Sequence, residues 1–204
     1  SQPPFDPKKG LVAYYPFNGN ANDESGNGNN GTVKGATLTE NRFGESGKAY
    51  DFDGKNKYIE IPDSSLLDLP NIGTISLWLY ANPQSQQGPY GGGTIINKYR
   101  SNSEQEDGYH FGLDNEDGFY TTIKNYSDKV SLYIDDEFTS KGNWILATIC
   151  YDKNNLKLYI DGVLVGKTEG FAQTSGNSRS LLIGAGLTDS DTKVSYFTGQ
   201  IDDV

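Results

Sequence analysis

At 204 residues with a formal net charge of −10, 17 Lys and Arg against 27 Asp and Glu, the chain has the length of one domain and lacks the clustered basic surface that nucleic acid and anionic membranes reward. Only 34% of its residues are hydrophobic, and 25 Gly with 18 Asn are more turn-formers than long helices tolerate, which leaves short strands joined by turns. The aromatic share of 12%, from 14 Tyr, 9 Phe and 2 Trp, gives those strands rings to fill a core and argues against intrinsic disorder.

Residues 1–10, SQPPFDPKKG, read as an extended leader or linker remnant. The stretch LVAYYPF at 11–17 is β-branched and aromatic and ends at Asn18-Gly19-Asn20, which predicts a strand and a turn. Residues 18–31, NGNANDESGNGNNG, hold no large apolar side chain, so this loop needs hydrogen bonds or an ion to organise it. Further strands are expected at 48–53, 57–61, 72–80, 94–99, 108–113, 118–125, 130–134, 143–151, 156–160, 163–168, 181–185 and 195–203. Two of them show clear alternation. Tyr58 and Glu60 take one face and Ile59 and Ile61 the other, while Ser76, Trp78 and Tyr80 oppose Ile75, Leu77 and Leu79. Both Trp are expected between sheets. Leu156, Leu158 and Ile160 alternate up to Asp161-Gly162, and Val163 and Val165 return, which predicts a two-residue hairpin. A dozen short strands without interleaved helices make an antiparallel sandwich or barrel.

Several chemistries are poorly served. One Cys and one His are too few for a transition-metal site, whereas calcium, with its oxygen ligands, stays open. Retaining and inverting glycosidases need two carboxylates about 5–9 Å apart, and no Glu-x-Asp-x-Glu alternation is present. The acidic clusters 104–107, 114–117 and 135–137 read as solvated loop tips. A Ser hydrolase would need a nucleophile elbow beside His110, and none exists. There is no apolar run long enough for a membrane span. The absence of Met, even at position 1, points to a processed or excised chain. Asn30 and Asn125 begin N-glycosylation acceptor triplets.

Six phrases in order carry a family resemblance: 11–36, FGESGKAYDFDGKNKYIEIP (43–62), ISLWLYANP (75–83), WILATICYDKNNLKLYIDGVLVG (144–166), LLIGA (181–185) and FTGQIDDV (197–204). Together they resemble the LamG-like jelly-roll family, bacterial relatives of laminin G and concanavalin A-like lectin domains. Leu146 stands where that family often has His, and Cys150 where Thr is usual. The resemblance implies an all-β antiparallel sandwich of concanavalin-like jelly-roll type over 11–204, with a last strand cut short at Val204. It further implies a non-catalytic carbohydrate-binding module outside the cytoplasm, part of a larger surface protein. The alternative is a protein-interaction or adhesion spacer.

A structural calcium is part of the same expectation. Its ligands would be Asn18 and Asp23 from the polar loop, the Gly47 carbonyl and Asp202 of the last strand. For a glycan, whose C–H face wants an aromatic ring and whose hydroxyls want planar polar groups, the loops 82–93 and 99–110 offer Tyr90, Tyr99, Arg100, Tyr109 and His110. Tyr120 and Tyr126 are expected along the open sheet face.

Overall fold

The computed structural model describes residues 8–69, 72–81, 93–99, 107–113, 118–124, 128–134, 142–152, 154–170, 174, 176–188 and 192–204. Its strands are β1 (Thr32–Lys34), β2 (Thr37–Glu40), β3 (Ser46–Asp53), β4 (Tyr58–Ile61), β5 (Gly73–Ala81), β6 (Thr94–Lys98), β7 (Gly108–Leu113) and β8 (Phe119–Lys124). They continue with β9 (Lys129–Ile134), β10 (Ile145–Tyr151), β11 (Asn155–Ile160), β12 (Val163–Glu169), β13 (Leu181–Ile183), β14 (Gly186–Leu187), β15 (Lys193–Val194) and β16 (Thr198–Asp202). A short 3-10 helix lies at Ser65–Asp68. One sheet runs β1-β4-β13-β6-β7-β8-β9 and the other β12-β11-β10-β5-β16-β3-β2. The strand pairs within both are antiparallel, so the sandwich expected from the sequence is the fold observed.

Alternation decides what lies between the sheets. Ile59, Ile61, Phe111, Phe119, Ile183, Leu77, Leu79, Leu158 and Ile201 are buried in one core cluster. Rings supply much of its volume, with Phe111 stacked on Phe119 at 5.4 Å and Phe17 edge-on to Tyr50 at 5.0 Å. Aromatic pairs at these separations add to simple burial. The β11–β12 hairpin forms as the alternation predicts: Asp161 and Gly162 both take positive φ, 49° and 79°, the backbone that a two-residue primed turn requires.

The Trp expectation is corrected. Since Leu77 and Leu79 fill the inward positions of β5, Trp78 faces away from the core, half-buried beneath Arg42, whose Cζ stands 4.5 Å from its ring. Trp144, just ahead of β10, is likewise half-buried and lies 5.9 Å from Tyr80.

The 11–17 strand is corrected too, for a physical reason. Its backbone groups are taken by the polar loop instead of a neighbouring strand. Asn27 and Asn29 amides donate to Val12 O at 3.0 and 3.1 Å, Asp23 Oδ1 accepts from Tyr14 N at 3.0 Å, and Glu24 N donates to Tyr14 O at 2.8 Å. Tyr15 pairs its backbone with that of Val204, just past the last strand, exchanging bonds at 2.8 and 3.1 Å, and the Tyr14 hydroxyl donates to Asp203 Oδ1 at 3.1 Å.

A buried cation ties the first sheet to its connections. Lys98, fully buried on β6, donates to Asp63 at 2.7 Å and to the carbonyls of Asn177 and Arg179 at 3.1 and 2.8 Å. Asp68 lies 3.1 Å from the same ammonium. Breaking a buried pair from one side costs about 3–5 kcal/mol. The Asp63 side chain is 40% exposed and water can recover part of its solvation, so the lower end applies. Lys98→Ala is expected to lower the unfolding free energy by about 3 kcal/mol in a denaturant titration; an unchanged midpoint would contradict this assignment.

Candidate functional site

The residues expected to hold calcium are placed around the N-terminal loop, where each already has a partner. Asp23 Oδ1 accepts from Tyr14 N and Ser25 N at 3.0 and 2.8 Å, and its Oδ2 accepts from Asn29 N at 2.9 Å. Although burial works against the charge, these bonds hold the Asp23 carboxyl below its ordinary range. Asn18 Oδ1 accepts from Lys48 Nζ at 2.6 Å, and the Gly47 carbonyl accepts from Gly19 N at 3.0 Å. Asp202 pairs with Arg42 at 2.5 Å, and the same guanidinium nitrogen reaches Asp203 at 2.9 Å. Two of the four positions thus face a side-chain cation of the protein, and the set does not fit a metal ion in this arrangement. Among the described residues no group of three or more His, Cys, Asp or Glu forms a metal cluster.

The expected glycan residues separate. Tyr90, Arg100 and Tyr126 lie outside the described residues. Tyr109 points into the core, its hydroxyl donating to Leu67 O at 2.8 Å, because it shares the inward register with Phe111. Tyr99 is half-buried, with Lys124 Nζ 5.8 Å from its ring. Asp107, expected on a solvated tip, is instead buried, and its carbonyl accepts from Asn177 at 2.6 Å.

Of the expected residues, His110 and Tyr120 are brought together on one sheet face. Register sets Asn97, His110, Thr122 and Ser131 in one row across β6, β7, β8 and β9, on the face opposite the core. One step along the strands the row is Gly112, Tyr120 and Tyr133. Tyr120 stacks on Tyr133 at 4.5 Å with 22° between planes, and His110 lies 5.3 Å from Tyr120. Gly112 makes that approach possible, since a Cβ there would come within 3.0 Å of His110 Cε1 and 2.9 Å of Gly93 O. The outermost ring, Tyr133, is 60% exposed.

Polar groups border this ladder. Burial alone would raise the Tyr120 phenol, but hydrogen bonds with Thr122, Lys129 and Ser131 and the Lys129 charge bring it below its ordinary value. Lys129 Nζ lies 5.8 Å from the Tyr120 ring, and Thr122 and Ser131 share a hydroxyl bond at 3.0 Å. The outward positions of β6 to β9 named here carry no carboxylate, so acid–base hydrolysis by a carboxylate pair has no residues among them. What the arrangement offers is an exposed aromatic plane edged by an ammonium and hydroxyls. Sequence reasoning missed Tyr133, Ser131 and Lys129, although the alternation of Val130 and Leu132 inward already put those three on a common face.

A laminin G family profile (Laminin_G_3), described as concanavalin A-like lectin/glucanases superfamily, matches residues 53–204. No curated protein matches the chain. Among solved structures, the receptor-binding domain of a botulinum neurotoxin mosaic serotype C/D is similar with TM-score 0.70 and 15% identity, over 97% of this chain and 47% of that one. Domain 4 of AbnA, a GH43 extracellular arabinanase from Geobacillus stearothermophilus solved with arabinotriose, is similar with TM-score 0.65 and 21% identity, over 95% and 89%. A binding domain of botulinum neurotoxin DC in complex with SialylT gives 0.60 and 16%, over 89% and 42%. The chain spans about half the length of the neurotoxin domains it matches.

Burial, with a smaller push from Lys129, lowers His110 from 6.5 to about 4, so between those values the unfolded chain takes up the proton first and stability falls as pH falls. Burial and then the Asp203 charge raise Asp202 from 3.8 to about 6 against the pull of Arg42; here the folded chain is protonated first, and falling pH adds stability over that window. His110→Asn should therefore be less acid-sensitive than the parent between pH 6.5 and 4, and Asp202→Asn more so, measured as thermal midpoint against pH. Identical slopes in all three proteins would contradict both assignments. Separately, EDTA is expected to leave the midpoint unchanged, whereas a cation at 100 times its Kd would add about 2.7 kcal/mol.

Proposed function

The chain belongs to the concanavalin A-like lectin/glucanase superfamily, and from that membership we propose that it is a non-catalytic carbohydrate-binding module. The carrying observation is the ladder of His110, Tyr120 and Tyr133. A sugar ring lays its C–H face on an aromatic plane, and Tyr supplies that plane at small entropic cost because it is stiff. Lys129 and Ser131, next to Tyr133 along β9, meet the hydroxyls at the ring's edge. The likeness to a domain solved with arabinotriose supports an arabino-oligosaccharide as the first ligand to try. The same likeness, to part of an extracellular enzyme, supports placing this module outside the cytoplasm.

Fold alone hosts many functions, so the reading stands or falls on the ladder. Tyr133→Ala removes an exposed ring without opening the core. It is expected to weaken binding of arabino-oligosaccharides by about tenfold, some 1.4 kcal/mol, with little change in thermal midpoint. Affinity electrophoresis and a glycan array read this directly. A silent array with the parent protein would favour the spacer alternative, and full binding by Tyr133→Ala would displace the site from this face.

A further inference from the structure

An asparagine followed by glycine can react with its own backbone, because glycine puts no side chain in the way of ring closure. The pair occurs three times in the chain, at Asn18-Gly19, Asn27-Gly28 and Asn30-Gly31, and all three lie in the polar loop of 18–31. Two of them are locked. Gly19 N donates to Phe17 O and Gly47 O at 2.8 and 3.0 Å, and Asn18 Oδ1 accepts from Lys48 Nζ at 2.6 Å. Gly31 N donates to Ala21 O at 2.8 Å, and Asn30 Oδ1 accepts from Asp23 N at 2.9 Å.

The third pair is open. Asn27 and Gly28 are both exposed, a Cβ at Gly28 would meet nothing within 4 Å, and the Gly28 N–H has no acceptor among the described residues. The Asn27 side chain nevertheless has a task. Its Nδ2 donates to Leu11 O and Val12 O at 3.0 Å each, which holds the entering segment against the loop.

We propose that Asn27-Gly28 is a self-modification site, where the chain converts its own amide to a carboxylate with water as co-reactant and so loosens the segment ahead of Tyr14. Gly28 N forms a bond to Asn27 Cγ, the Cγ–Nδ2 bond breaks, and ammonia leaves carrying the proton from Gly28 N. Water then opens the cyclic imide at either carbonyl, which gives aspartate or isoaspartate. Nothing is oxidised or reduced. The product cannot replace the amide, since a carboxylate only accepts hydrogen bonds and would face two carbonyl oxygens. Val12 O keeps Asn29 and Ser25 as donors at 3.1 and 3.3 Å, whereas Leu11 O loses its side-chain donor. Tyr14 and Tyr15 stay tied to Asp23 and Val204, so the loosening is confined to residues ahead of them. The isoaspartate form also lengthens the backbone just before Asn29, whose N–H donates to Asp23 at 2.9 Å.

The test incubates the whole chain at mildly alkaline pH and follows the three Asn-Gly pairs by mass spectrometry, with fragmentation that separates aspartate from isoaspartate. A parallel sample in urea gives each rate without the fold. Asn27 is expected to convert at least about fivefold faster than Asn18 or Asn30 in the folded chain, the factor from one backbone hydrogen bond that need not break first. In urea the three rates are expected to converge. Asn27→Asp, which installs one product directly, is expected to speed trypsin cleavage after Lys9 about fivefold, because cleavage tracks the opened population. Conversion of Asn18 or Asn30 as fast as Asn27 in the folded chain, or an inert Asn27 while the urea sample reacts, would overturn the site. An unchanged cleavage rate in Asn27→Asp would overturn the loosening.

Discussion

The ammonium of Lys98 gathers the connections that enter and leave the first sheet beside its central strand. It sits on the central strand β6 with no exposed surface, and a buried charge is tolerated only where oxygens replace its water. Those oxygens come from Asp63 and Asp68 on one side and from the 177–179 backbone on the other. Thr94, on the same strand, bonds His110 at 3.2 Å and so sets the inner end of the ladder. An apolar side chain at position 98 could pack as well, but it would not hold the 177–179 backbone.

How far the sequence could be read differs between strands and sites. Strands β3 to β13 were visible as short runs of β-branched, aliphatic and aromatic residues between turn-formers, some of them with the period-2 alternation that survives any arrangement burying one face, and β7 begins and ends where the sequence places it. β1, β2, β14 and β15 were not, being two to four residues long and too short for a pattern. The segment 11–17 misled because strand propensity describes side chains that fit a pleated surface, not where the backbone finds partners. There the Asn and Asp side chains of the following loop took the place of a neighbouring strand.

The ladder shows the same divide. That Lys129, Ser131 and Tyr133 share a face is local information. That they lie beside Tyr120 and His110 depends on β7, β8 and β9 being consecutive neighbours in one sheet, which no single segment encodes. Loop tyrosines drew attention because loops carry function so often; Tyr133 lies on a strand instead. In the polar loop the Asp23 carboxylate accepts three backbone N–H groups, and its residue type alone does not distinguish that role from a cation ligand's. Both tasks select Asp among Asn and Gly.

The exchange of two backbone bonds between Tyr15 and Val204 has a topological consequence. Two positions 189 residues apart are thereby clamped together beside β16, which lies between β5 and β3 inside the second sheet, so the segment ahead of β1 and the residues that follow β16 are each other's backbone partners. The aromatic ladder of β7, β8 and β9 belongs to the other sheet, away from that clamp.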